Sequence, residues 1–381
     1  MHYLDHAATS PVLPEVRDAM LPYLTDVWGN PSSIYGPGRR ARQGVDEARE
    51  RLASAVGCAP EELVFTGGGT EAGNLAVKGT AWVLRDRGRH VLLPALEHHA
   101  VLDSADWLGT QGFEVEHIPV DATGRVDPDE VARRLRDDTV LVALMLVNNE
   151  IGTVQPVAEV AALCREHGVL TYTDAVQALG KIPVDVRELG VDLAGFSAHK
   201  VGGPKGVGAL YVRRGTKLVP VLHGGGQERG RRSGTENVAG IVGFGVAAET
   251  VVRDLPHQAP RWMQLRDGMW ERLSESIPDI RRNGHPTHRV PHNLHVSIRS
   301  VVGEDVLLML DAAGICASTG SACQSGSPEP SYVLAACGVA REWAAGALRF
   351  TVGRDTTEAD IDAVCAELPK AVERLRSFAR S

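Results

Sequence analysis

The chain has 381 residues, 43% of them hydrophobic and 23% charged, with 40 lysines and arginines against 48 acidic residues and a formal net charge of −8. That balance offers no basic face to a nucleic acid, while the length is enough for two domains. The longest apolar run, VLVALMLV at 140–147, is far too short to span a bilayer, and MHYLDHAATSP at the start lacks a charged-then-apolar signal pattern, so the expectation is a cytoplasmic protein without membrane contact.

In chain order, LPEVRDAMLPYL (13–24) carries apolar residues at helical spacing and WGNPSS (28–33) reads as a loop. A helix over 38–56 puts Ala41, Val45, Ala48, Leu52 and Ala55 on one stripe. A strand at 62–66 runs into three glycines (67–69), and a helix opens at Thr70. Strands then follow at 90–94, 115–120, 139–147, 169–174, 192–196 and 209–212, with helices from Ala100, over 127–135 and over 157–167 between them. This alternation predicts an α/β fold with a mostly parallel seven-stranded sheet flanked by helices. Right-handed crossovers bring the loops after the strands to one edge, where ligands of open sheets bind.

Composition shifts at 255–260. Beyond it come a helix over 261–277, a strand at 293–298, a helix over 303–313, a glycine- and serine-rich loop at 318–330, a strand at 347–352 and a closing helix over 357–377. The predicted division is a large domain over 13–255 and a smaller α+β domain over 256–381. Residues 1–12 are expected to pack with the small one.

Several strand ends carry chemistry. FTGGGTEAGN (65–74) points the free N–H groups of a helix start at an anion, with Gly69 and Thr70 nearest; alone, it reads first as a capped helix after a supple turn. LEHHA (96–100) ends a strand with His98 and His99, without further ligands at zinc spacing, so no metal is assigned. LVNNEIG (146–152) contributes Asn149, and TDAVQALGK (173–181) contributes Asp174 and Gln177. GFSAHKVGGPKGVG (195–208) contributes Ser197, His199 and Lys200, in a setting that suits covalent chemistry with a carbonyl compound and equally a surface turn with two solvated lysines. GFGVAA (243–248) lacks the acidic partner of a dinucleotide site. Taken together along one edge, these groups supply phosphate donors, a carboxylate and a primary amine. Pyridoxal 5′-phosphate requires that set for its phosphate, its ring nitrogen and its aldehyde.

The motifs SAHKVGGPKGVGALYV, TEAGN, EHHAVL, VNNEIGTVQP, TDAVQALGK, HGGGQERGRRSGTEN and GSACQSG resemble the cysteine desulfurases of the NifS type, members of the class V aminotransferase family of fold type I pyridoxal-phosphate enzymes. The likeness runs from YLDHAATSP at 3–11 to RFTVGRDTTEADID at 349–362, nearly the whole chain. It implies that Lys200 anchors the cofactor, Asp174 pairs with the pyridine nitrogen, His98 stacks on the ring, and Asn149 and Gln177 bond the ring oxygen. Gly69, Thr70, Ser197 and His199 would bind the phosphate, and Thr235 the phosphate in the other subunit of a homodimer with shared active sites. Asn30 and Arg349 would hold the carboxylate of L-cysteine.

Cys323, in STGSACQSGSPEPS (318–331), is by the same resemblance the nucleophile that takes the sulfur as a persulfide for a sulfur-acceptor protein. Cys58, Cys164, Cys316, Cys337 and Cys365 are expected to be structural, and Lys205 is the competing lysine. The chain stops soon after its last helix, at ERLRSFARS, without the longer tail that many housekeeping members extend toward an iron–sulfur scaffold. The acceptor is thereby open among a cluster scaffold, a tRNA-thiolation protein, and a pathway placing sulfur in DNA or a metabolite, with nucleic acid not bound directly. Competing readings are a selenocysteine lyase, a class V transaminase, and a sulfur-carrier or scaffold-binding protein with little turnover.

Overall fold

Strand β1 (His2–Tyr3) opens the chain in a computed structural model that describes residues 1–320 and 331–378. The seven expected strands follow as β2 (Leu63–Thr66), β3 (His90–Pro94), β4 (Glu114–Ile118), β5 (Thr139–Ala143), β6 (Leu170–Asp174), β7 (Leu193–Ser197) and β8 (Gly208–Val212). They form one sheet in the order β2-β8-β7-β6-β5-β3-β4, parallel throughout except for β8, which runs antiparallel to both neighbours. Every residue of β2, β3, β5, β7 and β8 is buried. Continuous apolar runs such as HVLLP and TVLVA are what a sheet covered on both faces needs. One face packs on the helices Gly69–Leu84 and His99–Thr110, the other on Gly36–Val56 and Val157–Glu166.

Two expectations change. The strand predicted at 139–147 ends as β5 at Ala143. Leu144 and Leu146 still donate to the Tyr172 and Asp174 carbonyls at 2.9 Å, but the Met145 N–H turns to the Glu97 carboxyl instead of to a strand. The shift at 255–260 is not a break either, because one helix of 39 residues runs from Val238 to Ser276. Its first part buries Phe244 and Ala247 in the core of the large sheet, and its second buries Leu255, Trp262 and Met269 in another core. The polar stretch with Pro256 and Pro260 is the part passing between the two, with both prolines exposed.

That second core lies against β9 (Ile280–Arg282), β10 (Asn293–Ile298), β11 (Ile315–Cys316) and β12 (Ala347–Thr351), where β12-β10-β9 form an antiparallel sheet. Strand β1 pairs in parallel with β11, and Leu4 is buried in the same core. Among the described residues no helix is long and apolar enough to cross a membrane. Since β2, β3, β5, β6 and β7 all point the same way, the loops after them meet at one edge.

Candidate active site

Lys200 closes the short 3-10 turn Ala198–Lys200 directly after β7. Its Nζ donates to the Ala7 and Ala8 carbonyls at 2.6 and 2.8 Å. The N-terminal segment is held there by further bonds. The Ser10 N–H donates to the His199 carbonyl at 2.8 Å, Gln177 Nε2 donates to the Ala7 carbonyl at 2.9 Å, and His199 Nδ1 lies 3.1 Å from Thr9 Oγ1. Burial, aided by the charges of Lys200 and Lys205, lowers the His199 pKa to about 4, so its ring is neutral.

Asp174 is the last residue of β6 and only 8% exposed, and its Oδ1 accepts from the Val176 N–H at 2.9 Å. Burial pushes its carboxyl above the usual range, against the pull of His98 and Lys200. His98 caps the His99–Thr110 helix, its Nδ1 accepting from the Ala100 N–H at 3.1 Å. That bond places the ring proton on Nε2, and burial lowers the pKa so the neutral form holds. Glu97, missed in the sequence, is completely buried behind this pair. Burial and then the Asp174 charge raise its carboxyl well above the ordinary range, and its Oε2 has no partner among the described residues. The Tyr332 hydroxyl donates to the Glu97 carbonyl at 2.8 Å.

Gly69 and Thr70 open the Gly69–Leu84 helix, whose first N–H groups have no partner within it. A side chain at Gly69 would stand 2.8 Å from Val176 Cγ2 and 3.5 Å from Ser197 Cβ, so glycine keeps this end of the site open. Arg349 approaches from β12. It is 2% exposed, donates to the Asn149 carbonyl at 2.7 Å and to the Gly320 carbonyl, and pairs with Asp5 at 2.9 Å. Its own backbone pairs with Ser318.

One cavity of about 260 Å³ is lined by Gly69, Thr70, His98, Asn149, Asp174, Gln177, Ser197, His199, Lys200 and Arg349 together. A wider groove sharing Gly69, Thr70, Ser197 and His199 continues from it past Lys205, Val221 and Leu222. Residues 2–364 match the model of the family described as aminotransferase class-V. The chain belongs to that family.

Among class V relatives, the cysteine desulfurase IscS of Methanosarcina thermophila is 49% identical over 376 residues, which is 99% of this chain and 93% of the relative. A solved NifS-like protein superposes with a TM-score of 0.92 at 36% identity, covering 98% of this chain and 99% of that one. SspA in complex with cysteine superposes with a TM-score of 0.82 at 33% identity, covering 92% of this chain and 99% of the other.

Class V enzymes work with pyridoxal phosphate, and the residues present fit it. Asp174 is a buried acid whose ionised form gains from a cation at its face. Asn149 Oδ1 is buried without a partner among the described residues, and the Gly69 cradle would be filled by a methyl group.

Not every expected residue is in this cavity. Lys205 is exposed and lines only the wider groove, which separates it from Asp174 and leaves Lys200 as the cavity's amine. Asn30 and Thr235 are exposed and do not line the cavity within one chain, and Asn30 Oδ1 accepts from the Ser32 N–H at 2.9 Å. Cys323 lies outside the described residues. Cys58, Cys164 and Cys337 are buried, and burial pushes each thiol up to about 12, which suits packing rather than reactivity. Cys316 and Cys365 are half-buried.

Proposed function

We propose that the chain is a pyridoxal-phosphate-dependent cysteine desulfurase that converts L-cysteine to L-alanine and hands the sulfur, as a persulfide on Cys323, to an acceptor protein. The observation carrying this reading is the joint lining of one cavity by Lys200, Asp174, His98, the Gly69–Thr70 helix start and Arg349. Bound pyridoxal phosphate supplies an electron sink next to the substrate's α-carbon. Asp174 holds the ring nitrogen and His98 covers the ring face. Asn149 and Gln177 serve the ring oxygen, while Gly69, Thr70, Ser197 and His199 take the phosphate. Lys200 anchors the cofactor and then moves the α-carbon proton, and Arg349 presents its planar fork to the substrate carboxylate.

The Cys323 thiolate forms a sulfur–sulfur bond as the substrate's carbon–sulfur bond breaks, so that L-cysteine plus a protein thiol give L-alanine plus a protein persulfide. L-cysteine as substrate is favoured by the desulfurase names of the relatives and by the cysteine in the SspA complex. Iron–sulfur cluster assembly or another cytoplasmic sulfur-transfer pathway would consume the persulfide. A homodimer with shared sites accounts for Thr235 and Asn30, which are exposed and would reach a cavity from the neighbouring copy. The exposed Trp28, Ile34, Tyr35, Val221 and Leu222 give such a contact its apolar surface.

The test is the Cys323→Ala variant with L-cysteine and a reductant. It should release no sulfide while keeping the cofactor's absorption band, and full turnover would overturn the reading. Alanine appearing from the parent protein without a keto acid separates a desulfurase from a transaminase.

A further inference from the structure

Lys181 ends the TDAVQALGK segment behind the catalytic cavity and is 6% exposed. Among the described residues its amine makes no hydrogen bond and no ion pair. It stands 5.0 Å from the centroid of the Trp262 ring, whose indole N–H is already given to the Gly353 carbonyl at 2.9 Å. Burial alone lowers the Lys181 pKa to about 8, so the ammonium still predominates at pH 7. Two buried imidazoles feel that charge. His6 is lowered to about 4, first by burial and then by Lys181. His292 is lowered well below the ordinary value by the same two causes in the same order. The His292 ring lies 6.1 Å from that of Trp262, and neither of its nitrogens has a partner among the described residues.

A cavity of about 80 Å³ opens at this amine, lined by His6, Ser10, Lys181, Asp254, Gln258 and Trp262 among others. It shares no lining residue with the catalytic cavity. Asp254 does not neutralise the amine, because its carboxylate is taken by Arg253 at 2.8 Å and Arg354 at 3.4 Å. A buried ammonium with no counter-charge is costly, and a water satisfies its N–H groups without cancelling the charge.

We propose that this cavity binds a small monovalent anion, of halide or simple carboxylate size, on the Lys181 ammonium. The volume admits only a few heavy atoms, and the cation–π contact with Trp262 leaves the N–H groups free for an acceptor. His6 and Ser10 flank Ala7 and Ala8, whose carbonyls hold Lys200, so a seated anion would secure the segment on both sides.

The test is thermal melting of the holoenzyme at pH 7 in chloride and in acetate, with a bulky sulfonate keeping the ionic strength constant. At tenfold its dissociation constant, the preferred anion should raise the midpoint by about 2 °C along a saturating curve, and Lys181→Met should abolish the rise. Which anion acts identifies halide or carboxylate as the preferred class. Equal responses in parent and variant would overturn the proposal. Should the variant fail to fold, crystals of the parent soaked in bromide and, separately, in acetate decide: a bromide anomalous peak or acetate density beside Lys181 Nζ supports the site, and the absence of both refutes it.

Discussion

Lys200 and Lys181 lie under the same N-terminal segment, yet their surroundings are opposite. Lys200 is half-buried, gives its amine to two backbone carbonyls, and shares its cavity with Asp174 and the His98 imidazole. Lys181 is buried, has no acceptor among the described residues, and faces imidazoles kept neutral by burial and then by its own charge. Sequence chemistry is the same in both; what differs is which groups the fold turns toward each amine. Acceptors and an acid beside one lysine prepare it for a polar cofactor. An uncompensated cation beside an indole prepares the other for an anion.

The largest effect belongs to Lys200. Replacement by alanine should lower cysteine turnover by at least about 10³-fold and remove the band of the attached cofactor, while Lys205→Ala leaves both at parental levels. The opposite result would move the anchor into the wider groove. Asp174→Asn should cost turnover on the order of 10²- to 10³-fold. Its effect on the cofactor-free protein has the reverse sign. Because the folded pKa of Asp174 lies above the unfolded value, its contribution to stability is full below about pH 3.9 and is lost as the pH rises through the folded value. At pH 7 the ionised group is a burden, so the asparagine variant should melt higher there without cofactor. A lower melting point would show that Asp174 already has a compensating partner.

Arg349→Lys keeps the charge and loses the fork that meets Asp5 and the Asn149 and Gly320 carbonyls. KM for L-cysteine should rise on the order of 10²-fold, with a smaller change in kcat. The mildest change concerns His6, which belongs to the Lys181 side. Its folded pKa of about 4 lies below the unfolded value near about 6.5. Its neutral burial therefore favours the fold above about pH 6.5, and that stability drains away as the pH falls toward about 4. His6→Asn should retain about 2 kcal/mol more stability than the parent at pH 5, read from denaturant melts at pH 5 and 7.5.

Much of the site was legible because parallel strands buried on both faces read as apolar runs, and their ends are where polar residues collect. His98, Asn149, Asp174, Gln177, Ser197 and Lys200 all follow from that pattern. Asp5 and Glu97 did not stand out. Asp5 meets Arg349 across 344 residues, and Glu97 looks like one more acid until burial raises its carboxyl well above the ordinary range. The pattern shortens the helix Val238–Ser276 because proline and polar composition imitate a linker, whereas in the fold they mark a helix passing between two cores.

Residue order is enough to set the alternation of strands and helices, the edge at which the reactive side chains gather, and Lys200 as a candidate anchor. Folding alone brings the carbonyls of Ala7 and Ala8, 193 and 192 residues away, to the Lys200 amine, and leaves Lys181 in a cavity without an acceptor among the described residues. Hydrogen bonds and desolvation act over a few ångströms, so they are set by which segments the fold brings together and not by how far apart those segments lie along the chain.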